Sequence, residues 1–477
     1  MYLKKKILKN IKIKKILNII SYLSDKFNYK TYLIGGFVRN LFIKKKYKTN
    51  NIDIDIVTTG NSIILAKKFS LSLNIKSFFI FKRFKTAIVK YKNINIEFVS
   101  TRKEYYNIYN NKPYIKKLKN IKEDQIRRDF TINTIAIYLN KKKFGKVIDT
   151  FNGIKDIKNK ILRTPNNPDN TFYDDPLRMI RAIRFSTQLN FNISNSSIKS
   201  IINNVDRIRI ISIERIIQEF NKIILSKYPS IGLKLMYKLG FLSIILPEFI
   251  NLKKKSKIKG YTYKDNYKHT LEVLDNISKY TNNLWLRWAT LLHDIGKPVS
   301  KRFNKQKGWT FYYHEIIGSN MIPYIFHKLK LPIKKNMKYV KNIIKYSNLP
   351  KILNNKEVRI TTIKKFINKI GLNLIKDIIL LSKCDITTKN NIKKQQKIKK
   401  INKLYILIKK IEKENKIYNI KLPINGNDII NYFKIKPGKI IGYIKNKIIS
   451  YIIKGKIENN YKEVFKLMKS IGEKIIK

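Results

Sequence analysis

Two aspartates separated by a single residue form the clearest candidate site in this sequence. Asp53 and Asp55 lie in the apolar segment 52–57, whose residue types predict a β-strand. Because side chains alternate between the two faces of a strand, both carboxylates are expected on one face. Neighbouring carboxylates repel each other unless a cation lies between them, and Mg²⁺ prefers such oxygen ligands. The pattern therefore predicts a magnesium site.

The residues before the aspartates favour a phosphate-binding role for the same region. An apolar strand is predicted at residues 32–34, followed by Gly35, Gly36 and a short helix that contains Arg39. Adjacent glycines let the backbone approach a phosphate and leave N–H groups free at the start of a helix. The guanidinium fork of Arg39 suits phosphate oxygens. Either motif alone is common on solvated edges and in turns, but their order indicates a metal-dependent nucleotidyl-transfer site.

Residues 32–57 resemble the head domain of class II CCA-adding enzymes and bacterial poly(A) polymerases, within the polymerase β nucleotidyltransferase superfamily. Asn40 stands where that family usually has an Asp that could orient Arg39. The resemblance implies an α+β fold, in which a polymerase β-like head with a mixed sheet is followed by an all-α neck, an HD-like body and a tail. The family writes the region as GG-x-V-R-D followed by D-x-D, matched here by Gly35, Gly36, Val38, Arg39, Asp53 and Asp55.

A third carboxylate lies further along the predicted head. Residues 87–99 are predicted to form two strands joined by a turn near Asn93, and Glu97 lies in the second among apolar neighbours. From the residues alone, Glu97 fits an outward-facing edge as well as it fits a metal site. The family places an acidic residue on this strand, before an Arg that matches Arg102. The resemblance therefore implies Glu97 as a third catalytic carboxylate.

The segment 123–137 resembles the family's RRDFTINA sequence, with Thr134 in place of the final Ala. The resemblance implies that Arg128 contacts the incoming nucleotide. The alternative for this charged segment is a salt-bridge cluster on the surface. We place the end of the head near residue 150, where DTFNGI is similar to the start of the family's D-x-x-x-G-x-x-D-L pattern.

Residues 174–185, DDPLRMIRAIRF, predict a helix that is capped by Asp175. Arg178, Arg181 and Arg184 recur at every third position and form one stripe on this helix. Arginines in the first turns oppose the helix dipole unless an anion lies nearby, and a triphosphate would supply that anion. The alternatives are a plain helix cap and a solvated face.

The family resemblance implies a finer role for Asp175 and Arg178, namely reading the base of the incoming nucleotide. C and A each present an exocyclic amino donor beside a ring-nitrogen acceptor. A carboxylate and a guanidinium could therefore select C and A and reject G and U. The protein itself would then serve as the template, with CTP and ATP as substrates.

From about residue 226 the sequence predicts an all-helical region that resembles an HD-type metal phosphohydrolase domain. The most specific feature is the segment LLHDIGK, in which His and Asp are adjacent after an apolar run. Imidazole and carboxylate groups suit a first-row metal. A further histidine of such domains is missing where the sequence reads KYSNLP, so an HD fold without chemistry is the alternative. The resemblance implies a second divalent metal at His269, His293, Asp294 and Asp385, with His314 nearby.

Composition limits the compartment and the partners. The chain has 477 residues, enough for several domains. Its single cysteine, Cys384, indicates a reducing cytosol and no disulfide-linked partner. No apolar run reaches the length of a membrane span, so no membrane association is expected. The net charge of +72 favours a nucleic-acid partner, although the abundance of Lys, Ile, Asn and Tyr also indicates A/T-rich coding.

These observations predict four parts and one function. The parts are a nucleotidyltransferase head at 1–150, a base-recognising neck at 151–225, an HD-like helical domain at 226–400 and a tRNA-binding helical tail at 401–477. We expect a cytoplasmic tRNA nucleotidyltransferase that adds C and A to tRNA 3′ ends from CTP and ATP, with Mg²⁺ and without a nucleic-acid template. The alternatives are a poly(A) polymerase of the same family, an HD-type phosphohydrolase with a degenerate head, and a basic RNA-binding protein without catalysis.

Overall fold

The structure is a computed structural model that divides into two compact units, Met1–Ile245 and Leu246–Lys477. The structure does not describe the side chains at 103–117, 257–262 and 413–414. The structure describes residues 3, 10–43, 52–76, 78–107, 110–117, 120–253, 257–258, 261–262, 265–306, 308–350, 360–388, 390–414 and 420–476.

The first unit begins with a sheet and the helices that cover it. Its first elements are α1 (Ile11–Lys26), β1 (Thr31–Ile34), α2 (Gly36–Ile43), β2 (Ile52–Thr58), α3 (Ser62–Ser72), β3 (Phe78–Phe81), β4 (Thr86–Tyr91), β5 (Ile94–Ser100), β6 (Arg102–Asn107) and β7 (Asn110–Lys117). The chain continues through α4 (Ile121–Ile126), a 3₁₀ turn (Thr131–Asn133), β8 (Ala136–Tyr138), β9 (Val147–Ile148), α5 (Gly153–Asn159) and β10 (Ile161–Leu162).

Helices predominate in the rest of the first unit. These elements are α6 (Pro168–Asp174), α7 (Leu177–Leu189), β11 (Asn192–Ile193), α8 (Asn195–Asn204), α9 (Ile213–Ile224), α10 (Pro229–Lys238) and α11 (Phe241–Ile245). Helix α7 packs against both α9 and α10. Its buried stripe includes Met179, Ile180 and Ile183, as the spacing of apolar residues in the sequence predicts.

Seven strands of the first unit form one sheet in the order β3-β4-β5-β2-β1-β8-β9. Strands β2 and β5 are parallel, and the other neighbouring pairs are antiparallel. The two strands predicted within 87–99 are β4 and β5, which pair as a hairpin. Helix α3 covers one face of the sheet, where Phe69 and Phe98 have ring centroids 5.4 Å apart. The opposite face is the one that carries the acidic residues.

The second unit is built almost entirely from helices. Its elements are α12 (Pro247–Ile250), β12 (Lys257–Ile258), β13 (Tyr261–Thr262), α13 (Asn266–Ser278), α14 (Leu284–Leu292), α15 (Lys297–Ser300), β14 (Arg302–Asn304), β15 (Gly308–Thr310), α16 (His314–Lys328), α17 (Lys335–Lys345), α18 (Ile360–Ile370), α19 (Leu372–Cys384), α20 (Asn391–Glu414), α21 (Gly426–Phe433), α22 (Lys439–Ile453) and α23 (Tyr461–Glu473). None of the described helices is long and apolar enough to cross a bilayer.

The predicted α+β fold class is confirmed, with short strands that the sequence analysis did not predict. β10 pairs with β11 in the region predicted as an all-α neck, and β14 pairs with β15 in the helical body. Strands of two or three residues are too short to leave a readable alternation of apolar and polar residues.

Helix α20 buries part of one face in a shared apolar cluster. Ile401, Leu404 and Ile408 pack in the same cluster as Ile363 of α18 and Ile375 of α19. This helix runs through the domain boundary predicted at residue 400. The division of the chain into four parts therefore stays a prediction.

Candidate active site

Strand β2 places Asp53 and Asp55 on the same face of the sheet. In the parallel neighbour β5, Glu97 lies directly opposite Asp55, and Asn95 lies directly opposite Asp53. Adjacent strands are only about 4.8 Å apart, so residues paired in this way are side-chain neighbours. The Nδ2 atom of Asn95 donates a hydrogen bond of 2.9 Å to Oδ1 of Asp53. Three carboxylates from two distant segments therefore share one surface.

The environments of Asp55 and Glu97 oppose ionisation of these two carboxyl groups. Burial raises the pKa of Asp55 above its usual value; the charge of Arg128 opposes this shift and the charge of Asp53 adds to it. Burial also raises the pKa of Glu97, followed by repulsion from Asp55. A cation among the three oxygen donors would relieve both effects. The donor set thus fits Mg²⁺, for which Asp53, Asp55 and Glu97 are the available ligands.

Gly35 has a steric reason to be glycine. Its φ is +79°, a backbone conformation that residues with a side chain rarely adopt. A Cβ atom at this position would overlap Oδ2 of Asp55 and would lie 3.2 Å from Cγ of the same residue. Gly36 begins α2, and a Cβ there would meet Nη2 of Arg39 at 3.6 Å. Gly35 therefore makes room for the carboxylate, in addition to any role near a phosphate.

Arg39 on α2 is 8% exposed and is held by two amide side chains. Its Nη1 donates to Oδ1 of Asn133 at 2.9 Å. Its Nε and Nη2 donate to Oδ1 of Asn40 at 3.2 and 3.0 Å. Asn40 therefore orients Arg39 in place of the usual Asp, but it adds no negative charge.

The ring of Phe185 on α7 brings three guanidinium groups together. The Cζ atoms of Arg184, Arg39 and Arg181 lie 4.0, 5.0 and 5.6 Å from its centroid. The negative face of an aromatic ring favours each cation, but the three like charges repel one another. Burial and the charge of Arg181 lower the pKa of Arg184 to about 10. A polyanion such as a triphosphate would relieve this repulsion.

Asp129 fixes the position of Arg181. The Nε and Nη2 atoms of Arg181 donate to Oδ2 of Asp129 at 2.9 and 2.6 Å, and Asn133 Nδ2 donates to Oδ1 at 2.9 Å. Burial alone would raise the pKa of Asp129, but the charge of Arg181 and these hydrogen bonds lower it below its usual range. Asn133 therefore links Arg39 to the Asp129–Arg181 pair.

Arg128 is anchored from the other side by Asp124. Its Nε donates to Oδ2 of Asp124 at 3.3 Å, while Arg127 donates to Oδ1 from Nε at 3.0 Å and from Nη2 at 2.6 Å. The segment therefore does form a salt-bridge cluster, the alternative considered from the sequence, but the cluster is centred on the buried carboxylate of Asp124 and not on the surface. Arg128 nevertheless lies close enough to Asp55 and Glu97 for its charge to oppose the rise in pKa of both carboxyl groups.

These carboxylates and arginines line one cleft of about 780 Å³. Asn133 and Phe185 line it too and were not singled out by the sequence analysis, although both lie within the two motifs that it identified. Gln188 and Lys222 also line it, without any signal in the sequence. The predicted residues that line the cleft are Gly35, Gly36, Arg39, Asp53, Asp55, Glu97, Arg128, Arg181 and Arg184.

Asp175 and Arg178 are not among the residues that line this cleft in the described part of the chain. Helix α7 begins at Leu177 with Pro176 at its N-cap, one residue after the predicted cap, and Oδ1 of Asp175 accepts a hydrogen bond of 3.3 Å from the backbone N–H of Leu177. Its Oδ2 lies 3.7 Å from Nη2 of Arg215 and 4.0 Å from Nε of Arg178. The two residues are adjacent, as expected, and their role in base reading stays a prediction.

The second unit brings the predicted HD-type residues together. Oδ1 of Asp385 lies 2.8 Å from Nε2 of His269 and 3.5 Å from Nε2 of His293. Nε2 of His293 also lies 3.4 Å from Oδ1 of Asp294. The other ring nitrogens are fixed, since Nδ1 of His269 lies 2.9 Å from Oγ1 of Thr387 and Nδ1 of His293 lies 2.7 Å from the Thr290 carbonyl oxygen.

The donor set of this second site fits a divalent metal. One atom from each of His269, His293 and Asp385 lies within 4.8 Å of the others. Nε2 of His293 is buried without a hydrogen-bond partner among the described residues. An imidazole with one nitrogen fixed by a carbonyl and the other unsatisfied is typical of a metal ligand. Asp294 also accepts a 2.6 Å hydrogen bond from Nζ of Lys297.

A cavity of about 540 Å³ surrounds this cluster. His314 lines it, with Nε2 3.7 Å from Oδ1 of Asp294. Ser347 and Asn348 line it as well, at the position where the family resemblance placed a further histidine. The cavity therefore has serine and asparagine side chains where an additional imidazole was expected.

Comparisons with known proteins agree with this arrangement. Three protein-family descriptions match the sequence: "Poly A polymerase head domain" at residues 31–163, "Probable RNA and SrmB- binding site of polymerase A" at 190–252 and "HD domain" at 266–370. The cleft residues up to Asn133 lie within the first range, and His269, His293 and Asp294 lie within the third.

Curated relatives carry two kinds of name. A CCA-adding enzyme of Lactobacillus helveticus is 34% identical over 41% of this chain and 46% of its own length. An A-adding tRNA nucleotidyltransferase of Aquifex aeolicus is 37% identical over 36% of this chain and 20% of its own length. A CCA-adding enzyme of Ligilactobacillus salivarius is 28% identical over 91% and 90%. The first two matches span less than half of each relative.

Solved structures share the fold along most of the chain. The CCA-adding enzyme of Bacillus stearothermophilus in complex with CTP has a TM-score of 0.65 at 20% identity, covering 97% of this chain and 98% of its own. The Thermotoga maritima CCA-adding enzyme complexed with tRNA has a TM-score of 0.59 at 21% identity, covering 99% of both. Sequence matches and fold agree: this chain contains a poly(A) polymerase head domain followed by an HD domain, and it shares its fold with solved CCA-adding enzymes.

Proposed function

We propose that this protein is a cytoplasmic, Mg²⁺-dependent tRNA nucleotidyltransferase that adds C and A to tRNA 3′ ends from CTP and ATP. The observation that carries the proposal is the cleft of about 780 Å³, which combines three carboxylates with the guanidinium cluster around Phe185. Nucleotidyl transfer requires both, because a metal activates the hydroxyl and cations must hold the triphosphate.

The carboxylates and the arginines of the cleft have different roles in the reaction. When bound at Asp53, Asp55 and Glu97, Mg²⁺ supplies positive charge for the triphosphate and lowers the pKa of the attacking hydroxyl. Arg39, Arg181 and Arg184 bind the phosphates, because a polyanion relieves the repulsion among their three positive charges. The tRNA 3′-hydroxyl releases its proton to solvent and its oxygen bonds to the α-phosphorus, while the bond between the α-phosphorus and the bridging oxygen breaks and pyrophosphate leaves. The arginines neutralise the charge that develops on this leaving group.

Asp175 and Arg178 read the base in this proposal. The carboxylate accepts from the exocyclic amino group of C or A, and the guanidinium donates to the adjacent ring nitrogen. Their closeness to each other and to the first turn of α7, the helix that carries Arg181 and Arg184, supports the assignment. In the structure, Arg215 also lies near the Asp175 carboxylate, so base binding would rearrange this group of charges.

The RNA partner is supported by charge and by the relatives. The chain carries 103 Lys and Arg against 31 Asp and Glu, which favours a phosphate backbone. The similar CCA-adding enzyme of Thermotoga maritima has been solved in complex with tRNA. We propose that the helices that follow the head, including the tail at 401–477, contact the tRNA. Proteins recognise double-stranded RNA mainly by its shape.

Addition of A alone is the second candidate. The Aquifex aeolicus relative, 37% identical over 172 residues, is named an A-adding tRNA nucleotidyltransferase. Such an enzyme would share the carboxylates and the arginine cluster, and it would differ in the nucleotides it accepts. The cleft geometry alone suits either specificity, so the substrate must be tested directly.

The test uses two tRNA transcripts, one ending just before CCA and one ending in CC, each with a single labelled NTP and Mg²⁺. We expect incorporation of C on the first transcript and of A on the second; A on the second alone would establish the A-adding alternative. Asp55→Asn should abolish both activities, and Asp206→Asn is the matched control because the side chain of Asp206 is 83% exposed. Failure of the folded wild-type protein to extend either transcript would refute the proposed function.

We further propose a second divalent metal at His269, His293, Asp294 and Asp385. The close donors and the unsatisfied Nε2 of His293 support it. Metal analysis of the purified protein, beside a His293→Ala variant, tests this proposal without requiring any activity. Equal metal content in the two proteins would refute it.

A further inference from the structure

The outer edge of the head sheet carries exposed aromatic side chains. Strand β3 is the first strand in the sheet order, so among the described strands it has a paired neighbour only on one side. Phe79 is 64% exposed and Phe81 is 47% exposed. Aromatic side chains on an unpaired edge cost solubility and invite self-association, so their exposure calls for an explanation.

The strand register shows which face of the sheet these rings share. Residues directly opposite each other on neighbouring strands lie on the same face. Asp55 is opposite Glu97, Glu97 is opposite Ile88, and Ile88 is opposite Phe79. Phe79 therefore lies on the face that carries the catalytic carboxylates, three strands from Asp55, or about 14 Å at the usual strand spacing.

Phe81 belongs to the same face through the adjacent row. It is opposite Thr86, which is opposite Val99, which in turn is opposite Val57 of β2. Ile80 lies between the two rings, is 42% exposed and is opposite Ala87, on the face whose β4 and β5 residues contact α3. The two exposed rings therefore lie on the same face of the sheet as the catalytic carboxylates, whereas Ile80 lies on the opposite face.

The charge around this edge suits a polyanion. From residue 56 to residue 96 the sequence has eight lysines and arginines and no aspartate or glutamate. Lys82 and Arg83, which directly follow the strand, are exposed. Exposed aromatic rings beside basic side chains are the combination with which proteins bind single-stranded nucleic acid, because each base can stack on a ring while the cations follow the backbone.

We propose that Phe79 and Phe81 form a stacking platform for the unpaired bases of the RNA primer, immediately upstream of its reacting 3′ end. The inference rests on the proposed function, since it is the 3′ end that must reach Asp53 and Asp55. The platform holds the primer strand on the carboxylate face, and it is distinct from the arginine cluster that holds the incoming nucleotide.

A fluorescence experiment tests the platform without requiring catalysis. Tryptophan is introduced as Phe79→Trp, with Ile80→Trp as the matched control on the opposite face, and the signal of the wild-type protein with its three native tryptophans is subtracted. The probe is a tRNA transcript ending in CC, used with its 3′ end unpaired or paired to a complementary DNA strand. We expect quenching of Phe79→Trp by the unpaired end, little by the paired end, and none for Ile80→Trp. Quenching of neither variant by bound tRNA, or equal quenching of both, would overturn the platform.

Kinetics give a second readout. Phe79→Ala should raise KM for the tRNA primer by about fivefold to a hundredfold, the usual effect of losing one stacked base, and leave KM for CTP unchanged. Ile80→Ala should leave both values near those of the wild type, and Phe79→Trp should restore the primer KM. A shift of the double variant Phe79→Ala/Phe81→Ala from dimer to monomer would show instead that β3 pairs with a second copy, which overturns the proposal.

These outcomes separate the platform from the proposed function. Quenching of Phe79→Trp in a protein that adds no nucleotide would support RNA stacking and refute the transferase activity. Normal nucleotide addition with an unaffected Phe79→Trp signal would support the transferase and refute the platform.

Discussion

Replacing Gly35 by alanine should damage the site through the position of Asp55. The new Cβ would overlap Oδ2 of Asp55 and would lie only 3.2 Å from Cγ. The carboxylate must therefore move by about 1 Å, a displacement that can cost about 100-fold in rate when it affects a catalytic group. We expect kcat/KM for nucleotide addition to fall by about 100-fold in Gly35→Ala.

The chain offers a matched control for the backbone effect. Gly371 also has a positive φ, +84°, with a ψ of 145°, and nothing lies within 4 Å of the position of its Cβ. Both substitutions force alanine to a positive φ, which costs about 1–3 kcal/mol of stability. Gly371→Ala should therefore lose stability through its backbone alone and keep normal addition activity.

The assay combines urea unfolding with single-turnover addition of labelled CTP to a tRNA that lacks CCA. The expected result is a loss of stability in both variants, with a large rate loss in Gly35→Ala alone. A folded Gly35→Ala protein with a rate near that of the wild type would refute the reasoning, because it would show that the Asp55 carboxylate can move without consequence.

Three further predictions concern other parts of the molecule. Asp175→Ala should lower the ratio of kcat/KM for CTP over UTP by about tenfold to a hundredfold, the effect of one lost charged hydrogen bond, whereas an unchanged ratio would make Asp175 a plain helix cap. Because the folded-state pKa of Asp129 is held below its unfolded value, its pairing with Arg181 stabilises the fold above about pH 4 and is lost as the pH falls further. Asp129→Asn should therefore be less stable than the wild type at pH 6 and show a smaller loss between pH 6 and pH 3 by urea unfolding; parallel profiles would contradict this. His293→Ala with Asp294→Ala should leave nucleotide addition unchanged and reduce bound metal, and loss of addition in the folded variant would show that the two sites are coupled.

Local patterns in the sequence predicted the elements that carry the site. Alternation in residues 52–57 predicted the strand that carries Asp53 and Asp55, and the three-residue spacing of arginines predicted the helix α7. These predictions work because a period of two or near 3.6 is a property of a single segment. The glycine pair was also recognised from local sequence, although the contact of Gly35 with Asp55 was not.

Contacts between distant segments were beyond the reach of the same reasoning. The parallel pairing of β2 with β5, which sets Glu97 beside Asp55, is a matter of tertiary register. The Asp129–Arg181 pair and the gathering of guanidinium groups on Phe185 likewise join segments that no periodicity connects. Side chains that lack a distinctive motif, such as Gln188 and Lys222, can be assigned to the cleft only once the fold is known.

The order of strands in the head sheet has a consequence for synthesis on the ribosome. β1 pairs with β8 and β8 pairs with β9, so the sheet cannot be completed until residues 147–148 have left the exit tunnel. The Arg181 partner of Asp129 comes later still, on α7. Domains generally fold from the N-terminus during translation, but here the acidic strand emerges long before Arg181 and Arg184, which complete its cleft. A nascent or truncated chain that ends before α7 would therefore present the aspartates with only part of the anion site, and it would stay inert until the neck has been translated.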